Sequence, residues 1–299
     1  MNASRRGLGH GIAAYTLWGL APLYWKLLIR VSAVEILAHR LVWGAFTFAA
    51  IVAIAGAAPA VRAAVADRKT LAMMALSGAL LTANWGAFIG AVVTGHILDA
   101  SLGYFINPLL SVALGTLVLG ERLRRLQWFA IGAAAVGVAL WTWRAGHVPW
   151  IGLVISTTFG CYGLVRKLAR VESLAGSAIE TALLAPIAGG YLVILALGGG
   201  GQLGHASGGL QLLVLATGVV TAVPLLLFSS AARRLPLSTL GFLQYLTPTM
   251  HLLLGVVVYG EPLARDRLIA FVAIWLGLVA FGVDLARQAR RPSISRTDR

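Results

Sequence analysis

Laid over itself with an offset of 140 residues, this chain repeats. Pro108 falls on Pro248, Gly115 on Gly255, and Gly120-Glu121 on Gly260-Glu261. From Pro108 to Ala139 the ungapped overlay gives 11 identities in 32 positions. Chance in so leucine- and alanine-rich a sequence would give roughly three, so the chain is an internal duplication. The repeated stretch, Ser101 to Glu121, is apolar and long enough to cross a membrane, yet it carries Asn107-Pro108 in its interior. Pro108 has no N–H, so a carbonyl about one turn back loses its donor and the helix is expected to loosen there. In hydrocarbon such a group needs protein or trapped water beside it, which places this face inside the molecule. Matched interruptions in two halves of a membrane protein point to a transport site at their junction.

Composition supports the membrane reading. The chain is 59% hydrophobic and 11% charged, with a mean hydropathy of +0.86, whereas soluble domains carry about a quarter charged residues. The net charge of +14 does not signal nucleic acid, because the basic residues sit in short clusters between apolar runs. The lone Cys161 excludes an intramolecular disulfide. Arg5-Arg6 precedes an apolar run too long for a signal core and interrupted by Pro22, so it is read as a retained first span.

Ten spans follow, near 8–29, 34–55, 71–93, 100–119, 126–143, 149–165, 177–198, 208–230, 237–259 and 266–285. With the N-terminus inside, 18 of the 24 Lys and Arg residues fall on the cytoplasmic side and 6 on the other, which puts both termini in the cytoplasm. Five spans per copy is an odd number, so the copies must lie in opposite orientations. The expected architecture is therefore an all-α integral membrane protein of ten transmembrane helices in two inverted repeats. Residues 1–145 form the first repeat, 146–286 the second, and 287–299 a disordered basic tail.

Within this frame Tyr104, Asn107 and Ser111 share one helical face, and the offset lays Gln244, Thr247 and His251 on the equivalent face of span nine. Six polar side chains on two symmetry-related helices are costly against lipid, so they are expected to line a substrate cavity. The alternative use is hydrogen bonding to neighbouring helices or to carbonyls freed by proline. Asn84 and Trp18 join the candidates, and Pro108 and Pro248 are the expected helix breaks. Lys26, His39 and Arg40 are candidate contacts for a charged group of the substrate, with snorkelling to headgroups as the other reading. Any proton coupling would use His251, which titrates near neutral pH. Ser32 to Glu35, and again Ser177 to Glu180, have the spacing of helix-start capping boxes, which gives both glutamates structural roles.

Other chemistries lack their motifs. The histidines and the cysteine form no local metal set, no phosphate-cradling loop or ATPase domain is present, and no cofactor is implied. The expected partners are a small-molecule substrate and the lipid bilayer. Two alternatives stay open: a membrane-embedded enzyme using Glu35, His39 and Arg40, and a non-transporting scaffold or sensor.

The stretches GLAPLYWK, EILAHRLVW, NWGAFIGAV, SLGYFINPLL, YGLVRK and LSTLGFLQYLTPT carry a resemblance over nearly the whole chain. The sequence resembles the RarD subfamily of EamA transporters, in the drug/metabolite transporter superfamily. The resemblance implies ten helices in two inverted EamA repeats, location in a bacterial plasma membrane, and export of small metabolites or drugs by a protein that is not an enzyme. Small multidrug exporters of that superfamily carry an acid in the first span, and here none lies between Leu8 and Ile29.

Overall fold

The computed structural model of this chain describes residues 3–93, 97–146, 148–202 and 207–260, together with positions 268, 272, 275, 276, 279 and 283. Among them there are helices and no strands. In order these are α1 (Ala3–Leu27), α2 (Ala33–Ile54), α3 (Ala58–Ala66), α4 (Arg68–Val93), α5 (Ile97–Leu117) and α6 (Arg125–Ala145). Then come α7 (Trp150–Leu168), α8 (Ser173–Leu197), α9 (Gly208–Ala232), α10 (Leu237–Gln244) and α11 (Leu246–Leu253). Leu254–Val258 continues α11 as a widened π turn, in which the Tyr259 amide reaches the Leu254 carbonyl at 3.0 Å. The tenth expected span, the segment Glu261 to Arg267 and the basic tail fall almost wholly outside the described residues.

The helices are apolar all round, so their packing follows lipid rules. Ile54, Leu117, Leu197 and Ile187 stand more than three-quarters exposed, as a hydrocarbon-facing surface requires. The interior instead collects Ser77, Asn84, Asn107, Thr217, Thr221, Ser229, Gln244 and Thr247, all buried. The molecule is an all-α integral membrane protein. Its packing also obeys the sequence duplication. α1 lies against α9 as α7 lies against α4, and α2 meets α9 as α8 meets α4. At the centre α2 crosses α8 and α5 crosses α10, the two self-equivalent pairs of a two-fold. Gly120 and Gly260, which the overlay made equivalent, adopt the same left-handed backbone, with φ of 65° at each.

Several details differ from the sequence reading. The segment after α2 forms α3, which lays Ala60, Val61 and Ala64 on a cluster of Met74, Ala169, Val171, Ala175 and Ile179. The Asp67 carboxylate then caps α4, accepting from the Thr70 and Lys69 amides at 3.2 Å each. Hydrogen bonding to Thr70 holds this carboxyl below the usual carboxylate range.

The two expected helix breaks behave differently. Span nine divides at Tyr245, three residues before Pro248, which is where a missing N–H loosens a helix. By contrast α5 runs through Pro108 without interruption, a correction to the expected break. Packing holds it there: the Pro108 carbonyl oxygen lies so close to Gly241 that an added Cβ would sit 2.8 Å from it.

The capping boxes also need correction. At α2 only half forms, since Ser32 Oγ accepts from the Glu35 amide at 3.2 Å while the Glu35 carboxylate takes the Gln202 amide at 2.6 Å. At α8 there is no box. The helix already starts at Ser173, so Ser177 and Glu180 are interior residues. Glu180 instead pairs with Arg166 at 3.1 Å, and both are almost fully buried.

Candidate functional site

The end of the bundle where α1 begins, here the near end, is closed by polar contacts between helices. The Arg166 guanidinium joins Glu180, the Met74 sulfur at 3.2 Å, the Ser173 carbonyl at 3.2 Å and Ser177 Oγ at 3.4 Å. Ser77 donates to the same glutamate from α4. Beside this knot, Glu121 caps α10 by accepting from the Leu237 amide at 2.6 Å, the Ser238 amide at 2.9 Å and Ser238 Oγ at 2.7 Å. A carboxylate at a helix N-terminus meets unpaired amides and the positive end of the helix dipole. The Lys167 ammonium stands 3.9 Å from this carboxylate.

From mid-depth toward the opposite, far end the helices part around a cavity of about 210 Å³. α1 contributes Tyr15, Trp18, Ala21, Pro22 and Trp25, α2 contributes Arg40, and α4 contributes Leu81, Asn84, Trp85 and Phe88. Across from them stand Tyr104 and Asn107 of α5, Ile155 and Phe159 of α7, and Val220 of α9, with Gln244, Thr247 and His251 beyond. Both repeats build the walls. At about 30 Å³ per water, the space equals roughly seven waters, enough for a single-ring organic molecule.

The expected face is largely brought together here: Tyr104, Asn107, Gln244, Thr247 and His251 line the cavity, as do Asn84 and Trp18. Some of these polar groups also serve structure. Pro22 has no N–H to offer the Trp18 carbonyl, and His251 Nε2 meets that oxygen at 3.2 Å, so Nε2 is the donor. Thr247 Oγ1 donates to the Tyr15 carbonyl at 2.9 Å, and the Asn84 amide donates to the Ile155 carbonyl at 2.7 Å. Asn107 differs. Its side-chain oxygen is buried and has no hydrogen-bond partner among the described residues.

Other expected residues lie elsewhere. Ser111 is one turn further toward the near end, against Gly241, where α5 and α10 pack closely, and it does not line this cavity. Lys26 sits in the last turn of α1 with its ammonium 3.7 Å from the centre of the Tyr259 ring, outside the cavity. His39 is buried and does not line the cavity, accepting from Trp43 Nε1 at 3.2 Å and standing 3.7 Å from the Glu35 carboxylate. Arg40, its neighbour in sequence, lines the cavity. There the guanidinium lies 4.8 Å from the Trp25 ring and 4.3 Å from the Trp85 ring, and Nε donates to Thr221 Oγ1 at 3.0 Å.

Sequence reasoning missed Trp25 as the partner of Arg40 and missed the Arg166–Glu180 knot. A deep cation demands a partner, and that demand was legible. Which of several aromatic residues on other spans answers it was not. Among the described residues no cluster of His, Cys, Asp and Glu could hold a metal ion.

A bundle of lipid-facing helices that obeys a two-fold and encloses an aromatic and polar cavity at mid-depth has the architecture of a polytopic membrane permease. Comparison with known proteins carries this further. A model of the EamA-like transporter family matches residues 5–143. The protein RarD of Escherichia coli K12 is 43% identical over 290 residues, covering 97% of this chain and 98% of its own. An uncharacterized transporter of Pseudomonas aeruginosa is 47% identical over 288 residues, covering 96% of each chain. The chloramphenicol-sensitive protein RarD of the same organism is 31% identical over 295 residues, covering 97% and 98%. A crystal structure of a protein 21% identical superposes with a TM-score of 0.72 over 96% of this chain and 100% of that one, a likeness of fold. The chain belongs to the RarD subfamily of EamA transporters, and so to the membrane transporters of the drug/metabolite superfamily in the bacterial inner membrane.

Proposed function

We propose that this protein is a secondary transporter, an exporter or permease, that moves small metabolites or amphipathic drugs across the plasma membrane by alternating access. The observation that carries the reading is Asn107. A buried amide oxygen without a partner costs about 1–3 kcal/mol, and this one, on a residue of the cavity wall, is a demand that packing in the present arrangement leaves unmet.

One-sidedness supports the mechanism. Ser111 and His251 are equivalent under the duplication, yet His251 lines the cavity and Ser111 is packed away. A two-fold protein holding equivalent residues in unlike surroundings has a second arrangement with the roles exchanged. In that state Ser111 would enter the cavity and His251 would leave it. Rocking of inverted repeats about a mid-membrane site is the motion that makes this exchange.

Asn107→Leu is expected to abolish substrate counterflow in proteoliposomes while leaving expression and thermal stability near wild type. Unchanged counterflow would remove Asn107 from the site. The orientation belongs to the same proposal, with the near end and both termini in the cytoplasm. Cysteines introduced at 122–125 and at 265–267 should then label from opposite sides of the membrane; labelling from one side would end the inverted reading.

The enzyme reading needs Glu35, His39 and Arg40 as one cluster, and of the three only Arg40 lines the cavity, which favours the transport reading. The scaffold reading needs a filled junction, where there is a cavity.

A further inference from the structure

We propose that the cavity selects a small amphipathic organic monoanion, with Arg40 receiving the anionic group and the surrounding rings receiving the apolar body. The inference rests on the transport reading above and names the substrate class for the same cavity.

Arginine stays protonated in proteins and offers five N–H donors in a planar fork. At Arg40 the Nε donor goes to Thr221, and no other hydrogen bond from this guanidinium is found among the described residues. Among the described residues no carboxylate lines the cavity. Glu35 is engaged by Gln202 and His39, and Glu180 by Arg166 and Ser77, so neither serves Arg40 as a counter-ion. The flanking Trp25 and Trp85 offset part of the cost of burying the charge through their π faces. Removing a cation from water costs more than two ring faces return. The balance leaves a cavity that is positive at one wall, with guanidinium donors that make no further hydrogen bond among the described residues and whose fork suits a planar oxyanion in bidentate fashion.

Snorkelling does not account for this geometry, because the head lies between tryptophans in the cavity wall instead of beyond the helix ends. The remaining surroundings define the rest of the molecule. Trp18, Phe88, Tyr104 and Phe159 present apolar faces, and the volume admits one ring with a short acidic arm. An amine would meet like charge and find no carboxylate among the described lining residues.

The test uses three probes that share a ring and differ in charge: phenylacetate, phenylacetamide and phenethylamine. Binding to the purified full chain is read by intrinsic tryptophan fluorescence, and counterflow is then read in proteoliposomes. Phenylacetate should bind saturably, roughly tenfold to a hundredfold more tightly than the amide, with the amine weakest. Arg40→Gln should bring the acid down to the amide, and Arg40→Lys should keep the preference for the acid. Equal affinities for acid and amide, a preference that survives Arg40→Gln, or no saturable signal from any probe would each overturn the proposal. The wild-type comparison decides the matter even if Arg40→Gln fails to fold. Acid-selective binding without counterflow would sink the transport reading and leave the anion site standing. Counterflow of the amine would do the reverse.

Discussion

Two arginines lie between the helices of this protein, and their surroundings are opposites. Arg166, in the closed near half, is 2% exposed and meets a carboxylate, a thioether, a carbonyl and a hydroxyl. Arg40, in the open half, meets two aromatic faces and one hydroxyl and keeps part of its surface toward the cavity. The same side chain thus does two jobs. Where a counter-charge is built in, the arginine knots α7 to α8 and, through Ser77, α4 joins the glutamate, so these three helices are held to one another at the near end. Where the counter-charge is left out, the unmet demand becomes available to a ligand. The difference separates a wall from a binding site.

The largest effect should come from breaking the knot. Arg166→Met or Glu180→Leu alone leaves an uncompensated charge in a dry interior and is expected to cost about 3–5 kcal/mol. The pair changed together removes both charges and should recover much of that loss. Thermal unfolding of the detergent-solubilised protein reads both. If each single variant is as mild as the double, Arg166 and Glu180 are not coupled, and the contrast with Arg40 loses its meaning.

How far this was legible in the sequence depends on whether the signal was local. Spans were, because hydropathy is carried by each run alone. α2, expected at 34–55, is Ala33–Ile54, and α9, expected at 208–230, is Gly208–Ala232. The cavity face was legible because the duplication repeats it, so Asn107 and Gln244 could be read together before either had a place in space. The misreadings came from contacts between distant segments. Ser177 to Glu180 has the spacing of a capping box, but helix α8 starts a turn earlier and Arg166, on the preceding helix, claims the glutamate. Ser111 shares a face with Asn107, but a helical face extends past the floor of a cavity. Local spacing cannot say where that floor lies; Gly241, on a helix more than a hundred residues away, sets it. Trp25 and Trp85 meet Arg40 from separate helices, and no spacing rule joins the three.

The smallest expected effects sharpen the same contrast by comparing the near half and the cavity under similar steric insults. At Gly241 a methyl group would sit 2.8 Å from the Pro108 carbonyl oxygen and 3.1 Å from Ser111 Cβ, both on a helix already held by packing. Neither neighbour is the end of a flexible side chain, so the helices must separate, and Gly241→Ala should cost about 1–3 kcal/mol. Ala21 faces the cavity instead. There, Ala21→Val extends into open space and should change stability by less than about 0.5 kcal/mol. What it should alter is the substrate, since the added methyls subtract from the cavity. Bulky substrates should lose affinity before small ones. The pair therefore separates two meanings of close packing, and thermal unfolding alongside a size series of transported compounds measures both. Equal stability losses at the two positions would mean that the space beside Ala21 is closed in solution, and the division into a closed half and an open half would have to be redrawn.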